Sequence, residues 1–236
     1  EFAFALDVHG FAFARAPSAE TAFDDDARVR TVYYPETAEL LRKATGAKRV
    51  VVFDHTVLRC TPRRERRHCQ TNAGGLLAQT SRTSSLLPRP LERVHQLLGA
   101  DAPRLLWGWT RLINVWRPIA HAVAHRPLAV GDWRTLDESA GQLVPVKYVY
   151  PGQEGATFSV KYSARPQFWY LGGMRREEVV LIKCYDSEEG GVARLSPHSA
   201  FVDGGSPKDA PTRQLSIELR ALCSTRSSRG DQLVGH

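Results

Sequence analysis

The chain lacks the features that mark a membrane protein, a disulfide scaffold or a repeat array. Its 236 residues contain no run of about eighteen consecutive apolar side chains, the length that a membrane-spanning helix needs. The opening stretch has no basic flank before a continuous apolar core, so we expect no signal peptide. Its four cysteines show no CxxC or zinc spacing, and no internal repeat is present. These absences predict a soluble, cytoplasmic protein without a membrane partner.

Positive charge is concentrated in one stretch of the chain. The formal net charge is +7, and residues 59–95 contribute +6 of it. That stretch holds two acids, Glu65 and Glu92, against eight arginines: Arg59, Arg63, Arg64, Arg66, Arg67, Arg82, Arg89 and Arg93. It contains no aromatic residue, whereas single-stranded nucleic acid is held by basic grooves with aromatic stacking platforms. We therefore do not expect nucleic acid as a partner.

The first quarter of the chain has the pattern of an α/β segment. Apolar residues at helical spacing in "ETAELLRKATG" predict an amphipathic helix that ends at Gly46. The β-branched run "AKRVVVFDHTVLR" predicts a buried strand with Asp54 and His55 near its exit. We interpret that pair as structural hydrogen-bonding residues at a strand end.

Short apolar or alternating runs recur from Arg111 onward, separated by Gly, Pro and Asp. Such spacing predicts an antiparallel sandwich or barrel. We therefore expect one domain over residues 1–236. Its predicted parts are an α/β part (1–58), an irregular arginine-rich segment (59–90), a helix plus β core (91–225) and a flexible tail (226–236).

The last predicted strand and the turn before it carry the residues best suited to chemistry. In "SIELRAL", Ser216 and Arg220 share one face with Glu218, because side chains alternate along a strand. A guanidinium there, or that of Arg213 at the strand's entry, could bind a dicarboxylate in a planar pair. The alternative is an exposed pair of Glu218 and Arg220. His198 ends the preceding strand, where an imidazole can bind a first-row metal.

Other polar residues are assigned structural roles. We expect Trp116 to pack in the sheet, Arg117 to pair with an acid and Asp132 to close a turn. His121 and His125 are four residues apart, a spacing that could bind metal on a helix, but prolines flank them and no third ligand is evident.

Several blocks, taken in order, resemble one family. They are "RVRTVYYPE", "VVFDHTV", "INVWRPI", "PLAVGDWRTLD", "FWYLGGMRREEVVLIKCYDS", "ARLSPHSAFVD" and "SIELRAL". Over about residues 10–223 the chain resembles fungal and bacterial oxidoreductases of secondary metabolism. That family includes the cephalosporin methoxylation component, gibberellin desaturase and related hydroxylases and desaturases.

The resemblance implies a mainly β fold with flanking helices and a double-stranded β-helix, or jelly-roll, core. It also implies Fe(II) and 2-oxoglutarate as cofactors and a small secondary metabolite as the substrate. His198 would be the distal iron ligand. The far carboxylate of 2-oxoglutarate would be bound by Arg213 or Arg220, with Ser216 in the family's arginine-x-serine pattern, although one extra residue leaves the choice of arginine open.

The chain departs from the family where the other two iron ligands are expected. A His-x-Asp pair is expected between the "VVFDHTV" and "INVWRPI" blocks, where residues 59–95 hold His68 and His95 but no aspartate. We therefore expect impaired iron retention, because the number of ligands sets affinity. Our hypothesis is that this segment is out of frame or comes from a mispredicted exon. The alternative function is a catalytically silent jelly-roll that binds a small molecule or a protein partner.

Overall fold

The computed structural model describes residues 3–59, 99–103, 108–150, 153–206 and 215–225. Its labelled helices are α1 (Leu6–His9), α2 (Asp26–Arg28) and α3 (Tyr34–Thr45), with a π-helical turn (Val29–Tyr33) between α2 and α3. The strands are β1 (Phe11–Arg15), β2 (Arg49–Arg59), β3 (Thr110–Pro118), β4 (Leu128–Gly131), β5 (Leu143–Tyr150), β6 (Gln153–Val160), β7 (Phe168–Trp169), β8 (Glu178–Asp186), β9 (His198–Ala200) and β10 (Leu215–Ser224). The prediction of a mainly β chain with flanking helices is confirmed.

Two antiparallel sheets form the body of the protein. The large sheet has the strand order β1-β8-β3-β10-β2, and the small sheet has the order β7-β4-β9. Strands β5 and β6 form a separate hairpin. From β3 onward the chain passes from the large sheet to β4 and β7, returns in β8, visits the small sheet in β9 and returns in β10. These crossings are typical of a two-sheet jelly-roll.

The outer face of the large sheet is covered by the helices. Ile217, Leu219 and Ala221 alternate along β10 and pack in one cluster with Tyr33 and Leu41. The alternation predicted for this strand is thus confirmed.

The predicted helix is confirmed as α3. Pro35 lies in its first turn, where a missing backbone N–H costs nothing. Gly46 ends the helix in a left-handed conformation (φ +67°), with its N–H donating to the carbonyl of Arg42. The apolar face that the sequence pattern indicated is the one that covers the sheet.

The inner face of the large sheet packs against the small sheet. Members of this inner cluster come from β1, β3, β4, β8 and the neighbouring loops: Phe11, Phe13, Trp116, Val123, Val130, Met174, Val180 and Ile182. All of them are at most 8% exposed. This face is therefore the dry interior of the jelly-roll.

The edges of the large sheet differ from the expectation. The run over residues 47–59 was predicted to be a buried strand, and this is wrong in part, because β2 is an edge strand whose described side chains are mostly half-buried. The opposite edge, β1, was not predicted at all, although Phe11 and Phe13 alternate with alanines. Both edges come from the first 59 residues.

A network of charges is buried beside β8. The Nζ of Lys183, which is fully buried, lies 2.8 Å from Asp7 Oδ1 and 2.6 Å from Asp186 Oδ2. Arg111 Nε lies 3.6 Å from Asp186 Oδ2, and its guanidinium stacks 3.5 Å above the ring of Trp109. The indole N–H of Trp109 also donates to Asp186. Each buried charge therefore has an opposite charge beside it.

Within the described ranges, no helix is both long enough and apolar enough to cross a membrane.

Candidate functional site

The polar face of β10 belongs to the interior of the jelly-roll. In the ladder with β3, Glu218 lies opposite Trp116, and Arg220 lies opposite Asn114. Opposite residues of an antiparallel pair project from the same face. Since Trp116 belongs to the inner cluster, Ser216, Glu218 and Arg220 lie on the inner face as well.

His198 approaches the same interior from the small sheet. It is 8% exposed and pairs with Val130 across β9 and β4. Val130 packs in the inner cluster together with Trp116. The register therefore places His198 on the face of the small sheet that looks toward the large sheet, as Val130 does.

The imidazole of His198 is oriented by the backbone. Its Nδ1 lies 3.1 Å from the carbonyl oxygen of Ser196. When Nδ1–H donates to this carbonyl, Nε2 carries the lone pair. Metal-binding histidines commonly have this tautomer, with one ring N–H donating to a backbone carbonyl and the other nitrogen binding the metal.

The segment that leads to His198 is fixed by a close backbone contact. Gly10 has φ +86°, and a Cβ added there would lie 2.6 Å from the carbonyl oxygen of Leu195. The Ser196 N–H donates to the carbonyl of Lys183 (2.8 Å), and its hydroxyl donates to the carbonyl of Gly131 (2.8 Å). Only glycine satisfies both the positive φ and the close approach at position 10. These contacts hold the turn before His198 between the two sheets.

Arg220 is held by acids. Its Nη1 lies 2.8 Å from Asp54 Oδ2, and its Nη2 lies 3.1 Å from Glu218 Oε2. The second carboxylate oxygen of Glu218 accepts from Asn114 Nδ2 at 2.6 Å. Two carboxylates thus already occupy the guanidinium that was one of two candidates for a dicarboxylate site. Arg213, the other candidate, lies outside the described residues.

Two buried polar atoms on the inner face have no hydrogen-bond partner in the part of the chain that the structure describes. Among the described residues, neither the hydroxyl of Ser216 nor the indole Nε1 of Trp116 makes a hydrogen bond. Ser216 is fully buried and Trp116 is 3% exposed. Native proteins leave few such atoms, and those that remain call for a ligand, an ion or a water. Both atoms can donate, so they fit an oxygen ligand such as the carboxylate of 2-oxoglutarate.

The described residues supply only part of a metal centre. Among the described residues, no three His, Cys, Asp or Glu side chains come close enough to bind one ion. His198 fits the role of a single ligand, because its tautomer and burial suit it. His68, His95 and residues 60–90 lie outside the described residues, so the hypothesis about the arginine-rich segment stays a prediction.

Asp54 and His55 lie in the middle of β2, not near its exit as predicted, and both have structural partners. His55 Nδ1 lies 2.8 Å from the hydroxyl of Tyr34, and its Nε2 lies 3.3 Å from Asp26 Oδ1. Asp54 binds Arg220 rather than His55. These contacts agree with the structural interpretation of the pair.

Arg117 and Asp132 gave one wrong prediction and one correct one. Arg117 was expected to pair with an acid. Instead its guanidinium donates to the Tyr33 hydroxyl and to the carbonyls of Arg176 and Ala16, because β3 buries it where backbone acceptors are exposed. Asp132 caps the 3-10 turn Trp133–Thr135 by accepting from the Arg134 N–H, as predicted.

The possible histidine pair is not on a helix. His121 and His125 lie in an irregular segment between β3 and β4. His125 Nδ1 lies 2.6 Å from the Ser206 hydroxyl. The helical face that a metal-binding pair would have used does not exist.

Comparison with known proteins identifies the group to which the chain belongs. Residues 1–224 match the family model described as "Oxidoreductase/YMDC permease-like domain". The Fe(II)/2-oxoglutarate-dependent dioxygenase nvfI of Aspergillus novofumigatus is 33% identical over 93% of this chain and 77% of its own length. The hydroxylase/desaturase CTB9 of Cercospora beticola is 32% identical over 94% of this chain and 72% of its own length.

A solved structure agrees with these matches. The iron and alpha-ketoglutarate-dependent endoperoxidase NvfI superposes with a TM-score of 0.79 at 31% identity, over 95% of this chain and 82% of that one. The prediction of a jelly-roll core is thereby confirmed. By sequence and by fold, this chain belongs to the family of fungal Fe(II)/2-oxoglutarate-dependent dioxygenases and hydroxylase/desaturases of secondary metabolism.

Proposed function

We propose that this protein is an Fe(II)/2-oxoglutarate-dependent oxidoreductase that hydroxylates or desaturates a small secondary metabolite. One observation carries the proposal. His198 and the unpartnered polar atoms of β10 and β3 lie on the inner faces of the two sheets, in the interior of one jelly-roll. Bound iron and 2-oxoglutarate would supply oxidation of an unactivated C–H bond by O₂, with succinate and carbon dioxide as coproducts.

The residues of the chain have separate roles in this proposal. His198 would bind iron through Nε2, while the Ser196 carbonyl keeps its ring in place. The hydroxyl of Ser216 would donate to the far carboxylate of 2-oxoglutarate. The apolar inner cluster would exclude water from the reacting centre and pack against an apolar substrate.

Arg213 is our choice for the arginine that binds 2-oxoglutarate. Arg220 is engaged by Asp54 and Glu218, so a bidentate bond to a third carboxylate would require those ion pairs to break. We expect Arg213→Gln to weaken 2-oxoglutarate binding without loss of stability. Arg220→Gln should lower the free energy of unfolding instead, because it leaves the carboxylates of Asp54 and Glu218 without their cation.

Metal binding tests the role of His198. Titration of the purified chain with Mn²⁺, followed by electron paramagnetic resonance, should show a site that His198→Ala abolishes. His125→Ala is the matched control, since His125 is equally buried but bonded to Ser206. Succinate formation from 2-oxoglutarate with Fe(II) and O₂ should depend on His198 in the same way. Equal Mn²⁺ binding by the His198→Ala variant would refute the assignment.

A catalytically silent jelly-roll that binds a ligand is the second candidate, and two observations favour it. The described residues hold no three-ligand metal group, and the expected His-x-Asp pair is missing from the sequence. This candidate predicts a folded chain that forms no succinate and takes up no stoichiometric iron. If the oxygenase proposal is correct, restoring a His-x-Asp pair within residues 60–90 should give succinate formation. If the protein is a silent binder, the same change should give none.

We also propose that the protein works in the cytoplasm on small molecules. Cys184 and Cys223 are free thiols in the described part of the chain, a state that a reducing compartment maintains.

A further inference from the structure

The indole of Trp116 presents an unused hydrogen-bond donor to the interior. The side chain is 3% exposed, and its Nε1 has no acceptor among the described residues. A buried donor without an acceptor destabilises a fold, so its retention needs a reason. Because tryptophan can only donate, the group that completes it must be an acceptor.

Trp116 shares its surroundings with the second unpartnered atom. In the β3–β10 ladder, Trp116 lies opposite Glu218, and Ser216 lies opposite Pro118. Trp116 and Ser216 are therefore diagonal neighbours on one face, about 7–8 Å apart along the backbone and within reach of one ligand. A carboxylate has two oxygens and can accept from both donors at once.

The neighbouring acid does not meet this need. Glu218 is directly opposite Trp116, but its two oxygens already accept from Asn114 and Arg220. No acceptor for the Trp116 N–H remains among the described residues, so a bound ligand can supply it.

Trp116 lies in the same interior as the candidate metal ligand. It packs in the same cluster as Val130, the residue paired with His198. A molecule that binds both the imidazole of His198 and the hydroxyl of Ser216 would lie in the interior that contains this indole. 2-Oxoglutarate, with a keto-acid head and a distant carboxylate, has that shape.

We propose that the indole N–H of Trp116 donates to the far carboxylate of 2-oxoglutarate beside the Ser216 hydroxyl, and that it selects dicarboxylic over monocarboxylic keto acids. This inference rests on the proposed function. It adds a binding residue on β3, a strand where the sequence favoured a packing role for Trp116.

Calorimetric titration of the Mn²⁺-loaded chain tests the proposal with two ligands. One is 2-oxoglutarate, and the other is 2-oxobutyrate, which keeps the keto-acid head but lacks the far carboxylate. Trp116→Phe should weaken 2-oxoglutarate binding about tenfold, the effect of losing one hydrogen bond to a charged group, and leave 2-oxobutyrate binding unchanged. Trp133→Phe, in the turn after β4, is the matched control and should change neither.

The outcomes separate the two proposals. If the unaltered chain shows no preference for 2-oxoglutarate over 2-oxobutyrate, the proposed function fails and this inference fails with it. If that preference exists and Trp116→Phe retains it, only the inference is overturned. Equal weakening of both ligands would also overturn it, because that result indicates altered packing. Should Trp116→Phe not fold, Trp116→Met, which is large and has no hydrogen-bond donor, takes its place with the same expected loss of preference.

Discussion

Replacing Lys183 with methionine should strongly destabilise the protein. The Lys183 side chain is fully buried, and so is that of its partner Asp186, 2.6 Å away. Breaking a buried ion pair from one side costs about 3–5 kcal/mol, because it leaves an uncompensated charge. Arg111 and the indole of Trp109 still contact Asp186, so we expect about 3 kcal/mol, the lower end of that range.

Urea unfolding followed by circular dichroism measures this loss. The matched control is Lys43→Met, since Lys43 lies 3.5 Å from Glu39 but is 75% exposed on α3. An exposed pair of this kind contributes at most about 1 kcal/mol, so the control should unfold near the urea concentration of the unaltered chain. The two variants remove the same side chain, and only its burial differs.

A double variant completes the test. Adding Asp186→Asn to Lys183→Met removes the stranded charge, so the pair should show a coupling of about 1–3 kcal/mol rather than additive losses. A Lys183→Met chain whose free energy of unfolding lies within about 1 kcal/mol of the unaltered protein would refute the reasoning. Strict additivity in the double variant would refute it as well.

Three further outcomes follow from buried groups. Burial raises the pKa of the Cys184 and Cys223 thiols to about 12, so both should resist iodoacetamide at pH 8 until the chain unfolds, as mass spectrometry can show. Arg117→Lys should lower the free energy of unfolding by about 2 kcal/mol, because a compact ammonium cannot reach all three acceptors to which the guanidinium donates. An unchanged melting temperature in thermal unfolding would contradict this. The backbone N–H of Phe23 lowers the pKa of Glu20 below its ordinary 4.5, so Glu20 stabilises the fold above that pH and loses this contribution as the pH falls through its folded value; Glu20→Gln should flatten the dependence of stability on pH there.

Local patterns predicted the elements whose causes are local. Helix α3 could be anticipated from its apolar spacing and from Gly46, since both act within a few residues. The two faces of β10 followed from simple alternation at Ile217 and Leu219.

Features that depend on distant partners could not be predicted in this way. Strand β1 pairs with β8, and only that pairing makes Phe11 and Phe13 part of the interior. The partners of Arg117 are carbonyls from two remote loops, which no spacing in the sequence reveals. The unpartnered indole N–H of Trp116 could not be predicted either, because it depends on which side chains lie opposite Trp116 in the β3–β10 ladder.

The candidate site was predicted in part. The sequence singled out His198, Ser216 and Arg220, and the structure directs these residues toward one interior. The sequence could not reveal that Asp54 and Glu218 already bind Arg220, because Asp54 lies on a strand 166 residues away along the chain. Alternation along one strand shows which side chains share a face, but not which of them remain available to a ligand.

The strand order of the large sheet has a consequence for synthesis on the ribosome. Among the described strands, β2 pairs with β10 alone and β1 pairs with β8 alone, so both early strands must wait for late ones to be translated. A nascent chain that has exposed residues 1–200 still carries β2 without a hydrogen-bonding neighbour. The cell must therefore shield this β-branched segment from other chains until translation reaches the strand that completes the sheet.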